Sequence, residues 1–515
     1  MNQAIHPHKK ILPTKSFLFK PRTGELQLWL LVSMGIVALA LYLSWWLRAD
    51  RLTSPWLVVA FVAALAYGSF QLLGNWLVFL AAPFRPRRKA ARQGDLSVDV
   101  FVTACGEPHA LIRKCLAAAC AMYGQKQVWL LDDAHDPALA IMAAELGAGY
   151  LIRRDRKDAK AGNLNAALAR TQGDIIAIFD IDHVPAPDFL EQTVGHFADP
   201  TVGFVQAMLT FDNGYEGWVA EAGAESSFDF YNPTSKGMDT LYSATMMGSN
   251  SLIRRQALAS IGNYQPGLAE DLATSVALHA AGWRSIYVAE PLAPGMAPPD
   301  LGSWFTQQFK WARGVFEVLL VTFPRLWGKL NWGERVAYAV RMTMYWLGPV
   351  ICAHLLLTIA ILLWGSNQTV SNYAQYLWHL LPLAVSNVLI HSAAIKQWRH
   401  PALPTGPTWK AVALVYATWP FYTLAWLMAL LRIPLAFRPT PKTVSDSINP
   451  LWLAPQALSV ILLLGAALYH LAYSSQPNWL VILVACGLAA PQLLFFWQCL
   501  EGQQVKTVPD LQNAT

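Results

Sequence analysis

Two apolar runs near the start of the chain, Leu26 to Leu47 and Trp56 to Ala82, do most to restrict what it can become. Each is long enough to cross a hydrocarbon core of about 30 Å as a helix, and in lipid a backbone must satisfy its own hydrogen bonds. Only Arg48-Ala-Asp-Arg-Leu-Thr-Ser-Pro55 separates them, so they form a helical hairpin. The first run is too long for a removed signal and has no small-residue cleavage site, which makes it an anchor. Lys9, Lys10, Lys15, Lys20 and Arg22 precede the hairpin, and Arg85, Arg87, Arg88 and Lys89 follow it, placing both flanks in the cytoplasm. These clusters account for the net charge of +6. The partner they imply is an anionic lipid bilayer, with no nucleic acid needed.

Ala337 to Trp364, Leu377 to Ile395, Leu451 to Tyr473 and Trp479 to Leu500 read as further spans. The apolar stretch Lys410 to Leu431 differs. Lys396 and Arg399 lie before it and Arg432, Arg438 and Lys442 after it, whereas the loops 365–376 and 474–478 hold no Lys or Arg. Basic residues on both sides return the stretch to the same face, as a re-entrant or in-plane helix, leaving about six spans and both termini cytoplasmic.

With 55% hydrophobic and 14% charged residues the chain is too apolar for a soluble enzyme, yet from Ser97 to about Ala297 the hydropathy drops. There short apolar strands alternate with helical patterns, the mark of an α/β domain with a mostly parallel sheet. The expected division is a tail and hairpin (1–94), a cytoplasmic domain (95–300), interfacial helices (301–336), a hairpin (337–409), the in-plane helix with a loop (410–450) and a last hairpin with a short tail (451–515). Six cysteines without Cys-x-x-Cys spacing are expected to be reduced thiols.

Within this domain the run Gly173-Asp-Ile-Ile-Ala-Ile-Phe-Asp180-Ile-Asp182 reads as a buried strand ending in two carboxylates. Side chains at i and i+2 point the same way, so Asp180 and Asp182 can share one hard cation, Mg2+ or Mn2+, with a substrate diphosphate. Other strand ends bring Thr103 and Glu107, then Asp132 and Asp133. The loop Arg153 to Asn165, with Lys160, enters a helix where phosphate oxygens could be cradled. A segment from Phe204 to Phe211 reads as a strand, and Gly248 to Arg255 as a turn into a helix. Glu270 and Asp271 open an amphipathic helix.

The Asp132-Asp133 pair, Lys160-Ala-Gly-Asn-Leu-Asn165, Asp180-Ile-Asp182, Glu270-Asp271, Gln307-Gln-Phe-Lys-Trp311 and Phe437-Arg-Pro-Thr440-Pro-Lys442 occur in this order. In this the chain resembles the family 2 glycosyltransferases of the cellulose synthase type, membrane-embedded processive polysaccharide synthases. The resemblance implies a GT-A-like cytoplasmic domain inserted in a transmembrane bundle, and a UDP-sugar donor held by Thr103, Glu107, Asp133, Lys160 and Asp180. It implies a general base at Asp271 beside Glu270, and an acceptor, the growing polysaccharide, bound by Gln307 and Trp311. Lys310 stands where the family has Arg; a lysine lacks the bidentate fork, so diphosphate contact can pass to Arg313. Thr440 and Lys442 belong to a gating loop with Pro439 in place of the family's Val. The implied activity is inverting polymerisation of a β-linked glycan, with UDP-glucose the leading donor. A polymer of N-acetylglucosamine, or single addition to a lipid acceptor, is the alternative. The implied location is the inner membrane, with room for a periplasmic export subunit as partner. No fused cyclic-dinucleotide domain is expected after the last span.

Overall fold

The computed structural model describes residues 23–48, 55–84, 94–364, 373–398, 400, 408–436 and 449–506. The basic flanks at Lys9 to Arg22 and Arg85 to Lys89, and the loop carrying Thr440 and Lys442, lie outside the described residues.

The first hairpin is α1 (Thr23–Trp46) and α2 (Pro55–Ala81). The α/β domain then runs β1 (Val98–Ala104), α3 (His109–Ala121), β2 (Gln127–Asp132), α4 (Pro137–Glu145), β3 (Gly149–Ile152), α5 (Ala159–Leu168), β4 (Ile175–Asp180) and α6 (Phe189–Thr193). It continues through β5 (Val202–Phe211), α7 (Trp218–Ser226), α8 (Ser235–Thr240), β6 (Ser251–Arg254), α9 (Arg255–Ser260), α10 (Glu270–Ala280) and β7 (Arg284–Gly295). The seven strands lie in the order β3-β2-β1-β4-β6-β5-β7. β1 pairs in parallel with β2 and β4, and β5 with β7, while β6 runs antiparallel between β4 and β5. The sheet is mixed and mostly parallel, as expected. The segment from Gly248 holds a strand, β6, before its helix; a strand of four residues between a positive-φ turn and α9 is too short to read as one from sequence.

β4 is the central strand because nothing in it is polar until its end. Ile175, Ile176, Ile178 and Phe179 are buried, each contributing about 1.5–3 kcal/mol, and β1 and β6 cover both its edges. The polar residues are left at the carboxyl edge, where a parallel sheet places its ligands. The buried Asp99 closes the opposite edge, accepting from Gly173 N at 2.6 Å, Arg255 Nη2 at 2.9 Å and Trp129 Nε1 at 3.1 Å.

After the sheet come α11 (Leu301–Glu317), which a π-type turn (Val318–Thr322) joins to α12 (Phe323–Leu326), then α13 (Trp332–Thr343), α14 (Leu347–Trp364) and α15 (Tyr373–Gln397). Asp300 caps α11 by accepting from Ser303 N, and Asn331 and Glu334 form a reciprocal cap on α13. The stretch expected to lie in the membrane plane forms two helices, α16 (Trp409–Ala417) and α17 (Trp419–Leu430), broken at Thr418. Two last helices follow, α18 (Ala454–Tyr473) and α19 (Trp479–Lys506). Among the described residues seven helical stretches are long and apolar enough to cross a membrane by length and composition, Trp409–Leu430 being one of them. The ends of that stretch are nevertheless tied to neighbouring polar groups. Lys410 pairs with Glu221 of α7 at 3.0 Å, and the carbonyl of Ile433, just past α17, accepts from Arg313 of α11 at 3.0 Å. All six cysteines are free.

Candidate active site

A cavity of about 1360 Å³ opens at the carboxyl edge of the sheet and continues along α11 toward the apolar helices. Thr103, Glu107, Asp133, Lys160, Asp180, Asp182, Glu270, Asp271, Gln307, Lys310, Trp311 and Arg313 all line it. Of the expected site residues only Thr440 and Lys442, outside the described residues, are not placed there.

At one end, β1 turns through Gly106, whose φ of +92° suits glycine, and Glu107 Oε2 accepts from Cys105 N at 2.6 Å. Burial raises the Glu107 carboxyl above the ordinary range, and Asp180 and Asp182 add to the rise. The adjacent aspartates at the end of β2 have different tasks. Asp132 closes the turn, accepting from Ala134 N, Asp136 N and Tyr150 Oη. Asp133 reaches the cavity and is gripped by Arg153, Nε to Oδ1 at 2.6 Å and Nη2 to Oδ2 at 2.8 Å, with both side chains buried. The same guanidinium donates to the carbonyls of Lys157 at 2.5 Å and Ala159 at 2.8 Å. Arg153 therefore holds Asp133 and the loop before α5 as one piece. That loop is strained: Asp158 and Ala159 have φ of 60° and 44°.

The loop delivers Lys160. Its ammonium pairs with Asp180 and donates to the carbonyl of Gly248 at 2.8 Å. Burial pulls this lysine down, but Asp180, Glu270 and Asp271 together push it above the ordinary lysine range. Thr103 Oγ1, at the cavity wall, also donates to Asp180, at 2.9 Å. Asp182 is buried beside His183, whose Nδ1 lies 3.6 Å from Asp182 Oδ1.

α10 carries the second pair of carboxylates. Burial raises both: Asp271 adds to the rise of Glu270, while Leu272 N, Arg341 and Lys160 restrain that of Asp271. The helix is fixed from behind by the buried His279, whose Nδ1 lies 2.6 Å from Tyr338 Oη and Nε2 2.9 Å from Ser285 Oγ. Gly248, with φ of +82°, sits where the two groups meet. A methyl carbon placed on it would lie 3.5 Å from Lys160 Nζ, 3.6 Å from Asp271 Oδ2 and 4.0 Å from Asp180 Oδ2.

On α11, Gln307, Lys310 and Trp311 line the cavity, and Gln308 is fixed by Tyr422 Oη of α17 at 2.8 Å. Arg313 pairs with Glu317 at 2.9 Å besides holding the Ile433 carbonyl, so its first partners are protein groups. Sequence reasoning did not find Arg153, Gln308 or Tyr422 in these roles; their partners lie 20 to 114 positions away.

Among the described residues no three His, Cys, Asp or Glu side chains gather to hold a metal. Two hard carboxylates at one strand tip fit a divalent cation that completes its shell with substrate phosphates and water.

The model of a family described as Glycosyltransferase like family 2 matches residues 96–314, and one described as Cellulose synthase matches 259–404. Putative cellulose synthase 2 of Komagataeibacter xylinus is 31% identical over 389 residues, covering 72% of this chain and 25% of that protein. A cellulose synthase catalytic subunit (UDP-forming) of Pseudomonas fluorescens is 29% identical over 400 residues, covering 73% of this chain and 53% of that one. The chain thus spans a quarter to a half of the length of these two relatives. A mannosyltransferase from Pyrobaculum calidifontis, solved in complex with GDP-Man and Mn2+, shares the fold with a TM-score of 0.52 and 19% identity, covering 73% of this chain and 99% of that one. By its matched domains, the order of its motifs and the mixed sheet that carries them, the chain belongs to the family 2 glycosyltransferases of the cellulose synthase type.

Proposed function

We propose that the protein is an inverting, processive glycosyltransferase that builds a β-linked glycan from a UDP-sugar, UDP-glucose first, and passes it across the inner membrane. The observation that carries this reading is the convergence of Asp180, Lys160 and Asp271 around Gly248, which sets a diphosphate-side carboxylate and a candidate base on two sides of one small gap.

In the reaction, the carboxylate of Asp271 takes the proton of the acceptor hydroxyl. The oxygen forms its bond to the anomeric carbon as the bond from that carbon to the β-phosphate oxygen breaks, and UDP leaves with the electron pair. Attack opposite the leaving group inverts the centre. Burial makes Asp271 a stronger base than an exposed aspartate, and Lys160 keeps the surrounding negative charge tolerable. Asp180 and Asp182 would hold a divalent cation that supplies charge neutralisation at the diphosphate. Asp133, held by Arg153, and Glu107 are assigned to the ribose and base. Gln307 and Trp311 are assigned to the acceptor, Lys310 to the leaving group, and Thr440 and Lys442 to a loop that closes over the nucleotide.

Both ends of α16–α17 are tied to elements that carry or flank the cavity, which supports the in-plane placement of that pair and six crossings with both termini cytoplasmic. The test is to incubate the purified protein with each labelled UDP-sugar and Mg2+ or Mn2+, then digest any polymer with linkage-specific hydrolases. A hydrolase-sensitive polymer from one donor supports the reading; absence of UDP release from every donor overturns it.

A further inference from the structure

Arg341 lies in the last turn of α13 and lines the same cavity as Asp271. One end of its guanidinium is fixed: Nη1 donates to Thr245 Oγ1, and the Phe230 ring lies under it with its centroid 4.2 Å from the guanidinium carbon. Nε and Nη2 have no hydrogen-bond partner among the described residues. Met246, next to Thr245, donates its N–H to Ser275 Oγ, which in turn donates to the carbonyl of Asp271, so the anchor of the arginine and the residue carrying the base belong to one hydrogen-bonded unit. Tyr231, Tyr345 and Tyr422 line the cavity as well, the last two with ring centroids 5.1 Å apart, and aromatic rings offer sugar rings an apolar face to lie on.

The pairing of donor and acceptor has a chemical consequence. A guanidinium only donates hydrogen bonds and an ionised carboxylate only accepts them. A sugar hydroxyl between the two has one orientation: its proton toward Asp271, one oxygen lone pair toward an N–H of Arg341, the other lone pair left for the anomeric carbon. We propose that Arg341 is an acceptor-binding residue that orients the terminal sugar of a neutral glycan against Asp271. Thr245 and Phe230 hold the guanidinium in place. This rests on the glycosyl-transfer reading above, and names the group that separates transfer to a sugar from loss of the donor to water. Water is small enough to reach Asp271 without the arginine; a hydroxyl fixed to a ring is not free to turn.

The test uses the full chain in lipid nanodiscs, with the UDP-sugar that the wild type consumes and cellotetraose as acceptor. Three quantities are read for Arg341→Gln and Arg341→Lys: UDP affinity, UDP release without acceptor, and transfer to cellotetraose. Loss of one charged hydrogen bond predicts a fall of about 10- to 100-fold in kcat/KM for cellotetraose. UDP affinity and donor hydrolysis should stay within about threefold, and Arg341→Lys should recover part of the loss because an ammonium still donates. Thr245→Val, which removes only the hydroxyl, should raise the acceptor KM in the same direction and serves if the arginine variants do not fold. Equal falls in hydrolysis and transfer, or unchanged transfer, would overturn the proposal by making Arg341 a counter-charge for Asp271 or a packing residue. A wild type that releases UDP from no UDP-sugar overturns the glycosyl-transfer reading, and this inference with it.

Discussion

The buried pair between Arg153 and Asp133 makes a sharp quantitative prediction. Arg153 is 5% and Asp133 9% exposed in their side chains, and the two share two hydrogen bonds at 2.6 and 2.8 Å. Removing the arginine alone, as Arg153→Met, strands a carboxylate with little water and should destabilise the domain by about 3–5 kcal/mol. Asp133→Asn leaves the arginine its two backbone carbonyls and should cost less, about 1–3 kcal/mol. The double variant removes both charges, so its loss should fall short of the sum by about 2–3 kcal/mol. Denaturant unfolding of the purified protein, followed by Trp fluorescence, measures all four corners of the cycle. UDP affinity should show the same non-additivity, because the arginine acts on the nucleotide only through Asp133 and the loop before α5. Additive losses in both measurements would refute the claim that these residues work as a unit.

Other expectations follow from the same geometry. Gly162→Ala would bring a Cβ 2.0 Å from the Lys157 carbonyl and 2.2 Å from Arg153 Nη1, so UDP affinity should drop at least about tenfold, and unchanged isothermal titration would contradict this. Glu270 has a raised pKa when folded, so the folded state binds its proton more tightly; that stabilisation is complete below the unfolded carboxylate range and is lost as pH rises through the folded value. Glu270→Gln should accordingly gain thermal stability relative to wild type between pH 5 and pH 8, as read by a melting series, and a gain confined to acid pH would reverse the sign. If α16–α17 lies in the membrane plane, Arg432→Cys in a background without native cysteines is labelled by an impermeant thiol reagent from the cytoplasmic face alone. Labelling from the far face would make the stretch a seventh crossing.

Much of the framework was legible because it rests on local pattern. The apolar run 175–179 followed by Asp180 and Asp182 marks a buried strand with its polar residues at the sheet edge, and β4 is that strand. Glu270 and Asp271 open α10 where the amphipathic pattern begins. What the sequence did not disclose are contacts between residues far apart in the chain. The resemblance assigned Thr103 to the nucleoside but did not disclose that the parallel register puts it directly beside Asp180, to which it donates. For Arg313, to which diphosphate contact can pass, the sequence did not disclose the bond to the Ile433 carbonyl 120 residues on, made beside its pair with Glu317. Arg153 and Arg341 carried no local signal at all. An arginine in a basic loop and an arginine in an apolar helix become distinct only when Asp133, 20 residues back, and Thr245, 96 residues back, come to meet them.

The central claim is that Asp271 takes the acceptor proton beside a donor held by the Asp180 edge. The most direct measurement compares wild type with Asp271→Asn, an amide of nearly the same shape that can accept a hydrogen bond but not a proton. UDP affinity in the presence of Mg2+ or Mn2+ is determined first, then incorporation of labelled sugar into polymer. The account predicts UDP binding within about threefold of wild type and polymer synthesis reduced by at least about 100-fold. Polymer synthesis within a few-fold of wild type would contradict it and place the base elsewhere in the cavity.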